Sequence, residues 1–234
     1  MNVDDYLEFV GDSEAPMNYH RWSYITCAAA ALSRNIYFDF GPIGILYPNM
    51  YTLLVGTPGT RKDTAINLAT RILKASGYRT FSPTKSTRER FLSDFEEGAF
   101  AGRSSEDALA DLLSAKLTNR ARPNDVFIAV GELIDFIGAK NSAFINTLTV
   151  LWECQEYYED KFRGNKGVHI KKPTTNLLGG ITPTSLAAAM PADIIGQGFT
   201  SRIVTVFSDP TGKRIAFPKP QSKDKELKLS LIHI

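Results

Sequence analysis

The sequence predicts an α/β fold: a mostly parallel sheet flanked by helices, with a small helical and hairpin extension at the N-terminus. Three observations lead there. "YTLLVG" is a short, continuously apolar run, and "DVFIAVGE" and "TTNLLGGI" read as further buried strands. Stretches with apolar residues at helical spacing lie between them. The chain has 234 residues, 43% of them hydrophobic and 22% charged, which suits one domain with a buried core.

In chain order, residues 1–34 read as helical, with Trp22, Ile25, Ala29 and Leu32 at helical spacing. "NIYFDF" and "GILYPN" flank Gly41 and Pro42 and read as a hairpin. "YTLLVG" is the first buried strand, a helix is expected from Lys62 to Ser76, and a strand near "YRTFSP". "STRERFLSDFEEG" places Ser86 three residues before Glu89, a capping-box start for a helix, and "SSEDALADLLSAKL" starts another in the same way. "DVFIAVGE" is the second buried strand and "SAFINTLTVLWEC" a helix. "QEYYEDKF" and "VHIKKP" form a hairpin, "TTNLLGGI" is the third buried strand, and "PTSLAAAM" is a helix with Pro183 in its first turn. "SRIVTVFSD" is the fourth strand. The expected organisation is an extension over 1–50, a core over 51–210 and a polar linker over 211–228. The last six residues, "LSLIHI", match the translation of a common transposon-derived sequencing adapter. They are expected to be foreign to the protein, with a genuine short strand as the other reading, and carry no fold argument.

The formal net charge of +2 permits a polyanionic partner without requiring one. Cys27 and Cys154 lack CxxC spacing, and His20, His169 and His233 lack metal-ligand spacing, which argues against zinc. The N-terminus is acidic and polar rather than signal-like, and the longest apolar run, "ITCAAAALS", is too short to span a bilayer. A cytoplasmic protein with no membrane segment is expected.

The chemistry centres on "LLVGTPGTRKDTAI". Strand, tight turn, lysine and helix is the arrangement that phosphate binding needs, because a curled backbone can aim successive N–H groups at the anion. Gly56 and Lys62 are spaced as in the P-loop pattern GxxxxGK[ST], and Gly59 supports the turn, with Thr57, Pro58 and Thr60 filling it. Two positions depart. Arg61 stands where glycine usually relaxes the backbone, and Asp63 where a serine or threonine usually holds magnesium. Asp63 could itself coordinate Mg2+, and Thr64, one residue late, could substitute. The residues expected around ATP are therefore Gly56 to Thr64, with Asp63 and Thr64 as metal candidates. An ordinary strand-to-helix turn with an incidental lysine stays open on this motif alone.

"HRWSYITCAAAALSRNIYFDFGPIGILYPNMYTLLVGTPGTRKDTAI" resembles the start of the ATPase module of phage and prophage replication proteins, the P-loop primase-helicases of the AAA+/RecA-like group. A "W-S-x-I" helix, a "YPN" turn and a P-loop ending in "RK" recur together there. The likeness continues to "GGITP" and "GFTSRI", covering most of residues 20–207. It implies a P-loop NTPase fold and a replication ATPase in which Arg61 and Asp63 are variation within the family.

Ligands in such sheets bind at the carboxyl ends of the strands, and the candidate residues are expected there. Glu132 ends the second strand, where a P-loop enzyme needs an acid to polarise the attacking water, but Gly131 replaces the usual preceding aspartate. The carboxylate at 63 is a candidate replacement for the one missing at 131. Asp135 is a reserve acid, and Glu132 as a mere helix cap stays open. Thr182 ends the third strand. The resemblance implies contact with the γ-phosphate, while its position suits a helix cap equally. Arg202, just before the fourth strand, is the expected arginine finger, reaching a phosphate across a subunit boundary, with a surface ion pair as the other reading. Lys161, Arg163, Lys166, Lys171 and Lys172 lie on the hairpin, interleaved with Tyr157, Tyr158 and Phe162. The resemblance implies that an insertion here grips single-stranded DNA inside a ring, and basic residues with aromatics suit that ligand. A solvated hairpin is the plainer reading.

Together these lead to an ATP-hydrolysing motor of a phage-type replication helicase, binding ATP with Mg2+ and single-stranded DNA as a homo-oligomeric ring, with a hexamer the expected form. A P-loop ATPase that loads or remodels proteins, and a hydrolysis-defective nucleotide-binding module, remain as alternatives.

Overall fold

The computed structural model describes residues 2–101, 124–162, 167–190 and 198–216. Its centre is a sheet of four parallel strands. In chain order these are β3 (Tyr51–Val55), β4 (Asn124–Val130), β7 (Pro173–Ile181) and β8 (Ile203–Phe207), and in space they run β4, β7, β3, β8. Every residue of β3 and β7 is buried, so neither alternates between core and solvent, and the polar members Thr52, Thr174, Thr175 and Asn176 are buried with the rest. The expected strand near Tyr78 is only a parallel bridge from Phe81 to Phe127 outside β4, held by Phe127 N to Thr80 O at 2.8 Å and Ser82 N to Phe127 O at 3.0 Å. Pro83, with no N–H to donate, follows at once and limits the ladder.

Side chains of alternate strand residues pack into two separate cores. On one face Leu54, Leu178, Phe127 and Val206 meet α1 (Val3–Phe9), α2 (Met17–Leu32) and α3 (Lys62–Ala75). On the other, Leu53, Val55, Ile128 and Leu177 meet α4 (Arg88–Glu96), α5 (Leu133–Ile137), α6 (Ser142–Trp152) and α7 (Pro183–Ala189). The molecule is thus a three-layer α/β fold.

The N-terminal stretch is two helices rather than one. Asn2 caps α1 through a reciprocal bond with Asp5, and Pro16, which cannot continue a helix, precedes α2. In α3 the buried positions Ala65, Ile66, Ala69, Thr70 and Leu73 form one stripe. α4 is capped by Thr87, one residue later than expected, with Thr87 Oγ1 accepting from Arg90 N at 3.2 Å.

Two antiparallel ribbons complete the fold. β1 (Phe38–Asp39) and β2 (Ile45–Leu46) are the expected hairpin, and they leave Ile36, Tyr37, Phe38, Phe40, Ile43, Ile45 and Leu46 exposed. β5 (Tyr157–Lys161) and β6 (Gly167–Lys171) form the second, which packs on the core through Tyr158, Val168 and Ile170 and leads directly into β7. Among the described residues no helix is long and apolar enough to cross a membrane. The helix expected over 104–117 and the tail 229–234 lie outside the described residues.

Candidate functional site

α3 leaves β3 toward one face of the sheet and α7 leaves β7 toward the other, so a crevice opens at the carboxyl ends of these neighbours. Gly56, the first residue after β3, donates its N–H to Ile181 O at 3.2 Å. A side chain at Gly56 would strike the Tyr19 hydroxyl and come within 2.7 Å of Thr60 Oγ1, so this position needs glycine. The Tyr19 hydroxyl, delivered by α2, bonds Val55 O at 2.6 Å and Ser208 O at 3.1 Å and so buttresses the loop from behind. Thr57, Pro58 and Gly59 are exposed on the rim, with Gly59 at φ +88°. Thr60 closes the turn by donating its N–H and its hydroxyl to Thr57 O, at 3.3 and 2.9 Å.

Lys62 starts α3 and is only 7% exposed. Its ammonium reaches back to Gly56 O at 2.9 Å, Thr57 O at 3.4 Å and Thr60 Oγ1 at 3.5 Å. It therefore occupies the mouth of the loop whose backbone it would share with an anion. Arg61 adopts the left-handed conformation expected of the glycine it replaces, at φ 59° and ψ 33°. That backbone costs a non-glycine residue about 1–2 kcal/mol. The Arg61 guanidinium pairs with Glu14 at 2.6 Å, a tether that sequence spacing did not suggest. Glu14 also accepts from Ile215 N at 2.7 Å, and this amide first, with Arg61 next, holds its carboxyl below the usual range.

Asp63 is exposed in the first turn of α3, beside half-buried Thr64. Its carboxylate lies over Gly131, where a side chain would collide with Asp63 Oδ1. Glu132 follows, preceding α5 but making no side-chain cap bond, and its Oε2 is buried without a hydrogen-bond partner. Partial burial raises the Glu132 carboxyl above its ordinary value; Lys62 opposes this, and Asp63 and Asp135 reinforce it. Gly180 of β7 explains how these groups meet across an intervening strand: a Cβ there would strike Gly131 O on one side and lie 3.4 Å from Lys62 Cβ on the other. Paired glycines inside the apolar run "NLLGGI" are the sequence signal for that close approach.

Thr182, at the carboxyl end of β7, caps α7. Its Oγ1 accepts from Ser185 N at 3.1 Å and donates to Ser185 Oγ at 2.9 Å. Lys62, Asp63, Glu132 and Thr182 thus share one edge of the sheet. Arg202 does not. It precedes β8 and lies at the amino edge, contrary to the expectation that the candidates gather at carboxyl ends. There it pairs with Glu153, donates to Gly198 O at 2.7 Å and covers the Trp152 ring at 5.4 Å. On the β5–β6 ribbon, Lys161 and Lys171 are exposed and Lys172 pairs with Glu156 at 3.6 Å, while Arg163 and Lys166 lie outside the described residues. The same exposed surface carries Glu159, paired with His169 at 2.8 Å, so its charge is mixed.

Among the described residues no group of three or more His, Cys, Asp or Glu side chains is placed to hold a metal alone. Asp63 and the orphaned oxygen of Glu132 are nevertheless hard oxygen donors, the kind that complete a Mg2+ shell made mostly of phosphate and water. No protein-family model matches the chain, and no curated protein matches it.

Proposed function

We propose that this chain is a P-loop ATPase and the motor of a phage-type replication helicase. The observation that carries the reading is the placement of Lys62, the Gly56–Thr60 turn and Glu132, whose Oε2 has no partner, at one edge of a parallel sheet. The loop amides and the start of the 14-residue α3 favour an anion. Lys62 exchanges the carbonyls of Gly56 and Thr57 for the terminal phosphate oxygens. Glu132, which spends no bond on capping α5, accepts a proton from the attacking water. Asp63 or Thr64 would hold Mg2+, which would supply positive charge against the charge developing on the phosphates. Thr182 keeps its cap while its hydroxyl borders the site.

Single-stranded DNA is assigned to the β5–β6 ribbon through Lys161, Arg163, Lys166, Lys171 and Lys172, beside exposed Tyr157. Arg202 serves a neighbouring subunit in this reading, after release from Glu153. The exposed apolar β1–β2 ribbon supports self-association into a ring. A second reading, a P-loop ATPase that remodels or loads proteins, is favoured by the mixed charge of the β5–β6 surface.

Steady-state ATP hydrolysis with Mg2+, with and without single-stranded DNA, tests both. Turnover that rises with DNA and falls by at least about a hundredfold in Lys62→Ala supports the motor. Lys62-dependent turnover indifferent to DNA favours the remodeller. Nucleotide binding without any turnover leaves the hydrolysis-defective module.

A further inference from the structure

We propose that Asp63 is the side-chain ligand of the divalent cation that accompanies the nucleotide, standing in for the carboxylate that position 131 lacks, and that position 131 is glycine because Asp63 fills its side-chain space. This assignment rests on the nucleotide reading above and chooses between the two metal candidates.

The usual arrangement places a hydroxyl after the loop lysine and an aspartate near the catalytic strand end, both toward the cation. This chain changes both positions, with Asp63 after the lysine and Gly131 before the catalytic glutamate. Taken singly, each change reads as a loss. The structure shows that they meet. The three heavy atoms nearest a side chain built at 131 all belong to Asp63: Oδ1, in collision, then Cγ at 3.3 Å and Oδ2 at 3.7 Å. A carboxylate that would have come from the strand comes instead from the helix, into the same space. The site keeps one aspartate beside one glutamate, so the anionic charge facing the cation is relocated rather than lost. Two carboxylates could not fit, because an aspartate at 131 would overlap Asp63 and add like-charge repulsion. Asp63 is exposed, and the buried, unpartnered Oε2 of Glu132 marks the next polar group along the strand end. Gly180 is the third member, since any side chain there would separate α3 from the end of β4.

The test is equilibrium binding of a fluorescent ATP analogue, mant-ATP, in EDTA and in Mg2+, with Mn2+ resonance spectra of the complex as a direct view of the metal. In Asp63→Ala, binding in EDTA is expected to hold or tighten, because a negative charge leaves the phosphates. The gain on adding Mg2+ should shrink by about tenfold or more. A merely structural role would weaken both. Gly131→Asp alone should lose stability, and Asp63→Ala/Gly131→Asp should regain stability and the Mg2+ response. Thermal melting of Gly131→Ala with and without Asp63→Ala checks the packing without nucleotide, and strong coupling between the two changes is expected. Asp63→Ala with an unchanged Mg2+ response, or a double variant no better than Asp63→Ala, overturns the assignment while leaving Lys62-dependent binding intact. If mant-ATP fails to bind, or binds Lys62→Ala equally well, the nucleotide reading falls and this assignment falls with it.

Discussion

Asp125 shows how a single side chain carries a testable electrostatic cost. It is held near the amino end of β4, accepting from Ser33 Oγ at 2.6 Å. Burial pushes its carboxyl up to about 6, against the pull of Ser33, Thr174 and Arg34. The folded value lies above the unfolded one, near 3.9. Its ionised form is therefore disfavoured by folding. The contribution is neutral below about pH 4, grows unfavourable as pH rises toward 6, and is constant beyond. Asp125→Asn, which can still accept from Ser33, should stabilise the protein by about 1–2 kcal/mol more at pH 7 than at pH 4, measured by urea melts at both values. Glu132 belongs to the same class of side chain in a different setting. It was legible from sequence because it ends an apolar strand, and the coordinates add that it stands at the N-cap of α5 without a side-chain cap bond. Arg61 was legible as an oddity. Its partner Glu14 was not, since nothing in the spacing of the two residues brings them together.

Among the elements, β7 does the most to assemble the site. It is the strand between loop and glutamate, and two consecutive glycines make it thin where both neighbours approach. The two glycines should respond differently to alanine. At 180 the new methyl meets a backbone carbonyl that cannot yield, whereas at 179 it meets the end of the Leu53 side chain at 3.1 Å. Gly180→Ala should cost about 1–3 kcal/mol, with Gly179→Ala clearly milder in thermal melts. The strands and most helices were readable because β3 and the centre of β4 are largely apolar and α3 carries a clean stripe. Near Tyr78 the pattern promised a strand and the fold supplies one bridge, because pairing depends on what lies opposite and on Pro83. Arg202 was expected at a carboxyl edge with the other candidates and lies at the amino edge. A residue immediately before a parallel strand must lie there, so strand direction alone gives its place.

At the scale of the whole molecule, two apolar surfaces lack cover among the described residues. One is the β1–β2 ribbon, with Ile43 87% and Phe38 61% exposed. The other is a groove along the open edge of the sheet, lined by Leu186, Met190, Ile203 and Phe207 beside Leu53. A surface and a groove at different places on one chain suit head-to-tail association, which closes into a ring or runs on as a filament. Phe38→Ser/Ile43→Asp should lower the sedimentation coefficient at micromolar concentration while leaving the melting temperature within a few degrees, as these side chains pack on little. The carboxylate of Glu14 has a different reach. It ties Arg61 of the phosphate loop to Ile215 of the exit segment, while its own carbonyl accepts the Thr211 hydroxyl at 2.8 Å. Early chain, loop and late chain are knotted at one side chain, so tension applied to the strap that leaves the sheet after β8 arrives at the residue just before Lys62. Under the motor reading proposed above, that knot would be a short mechanical linkage between the loop and the exit strap.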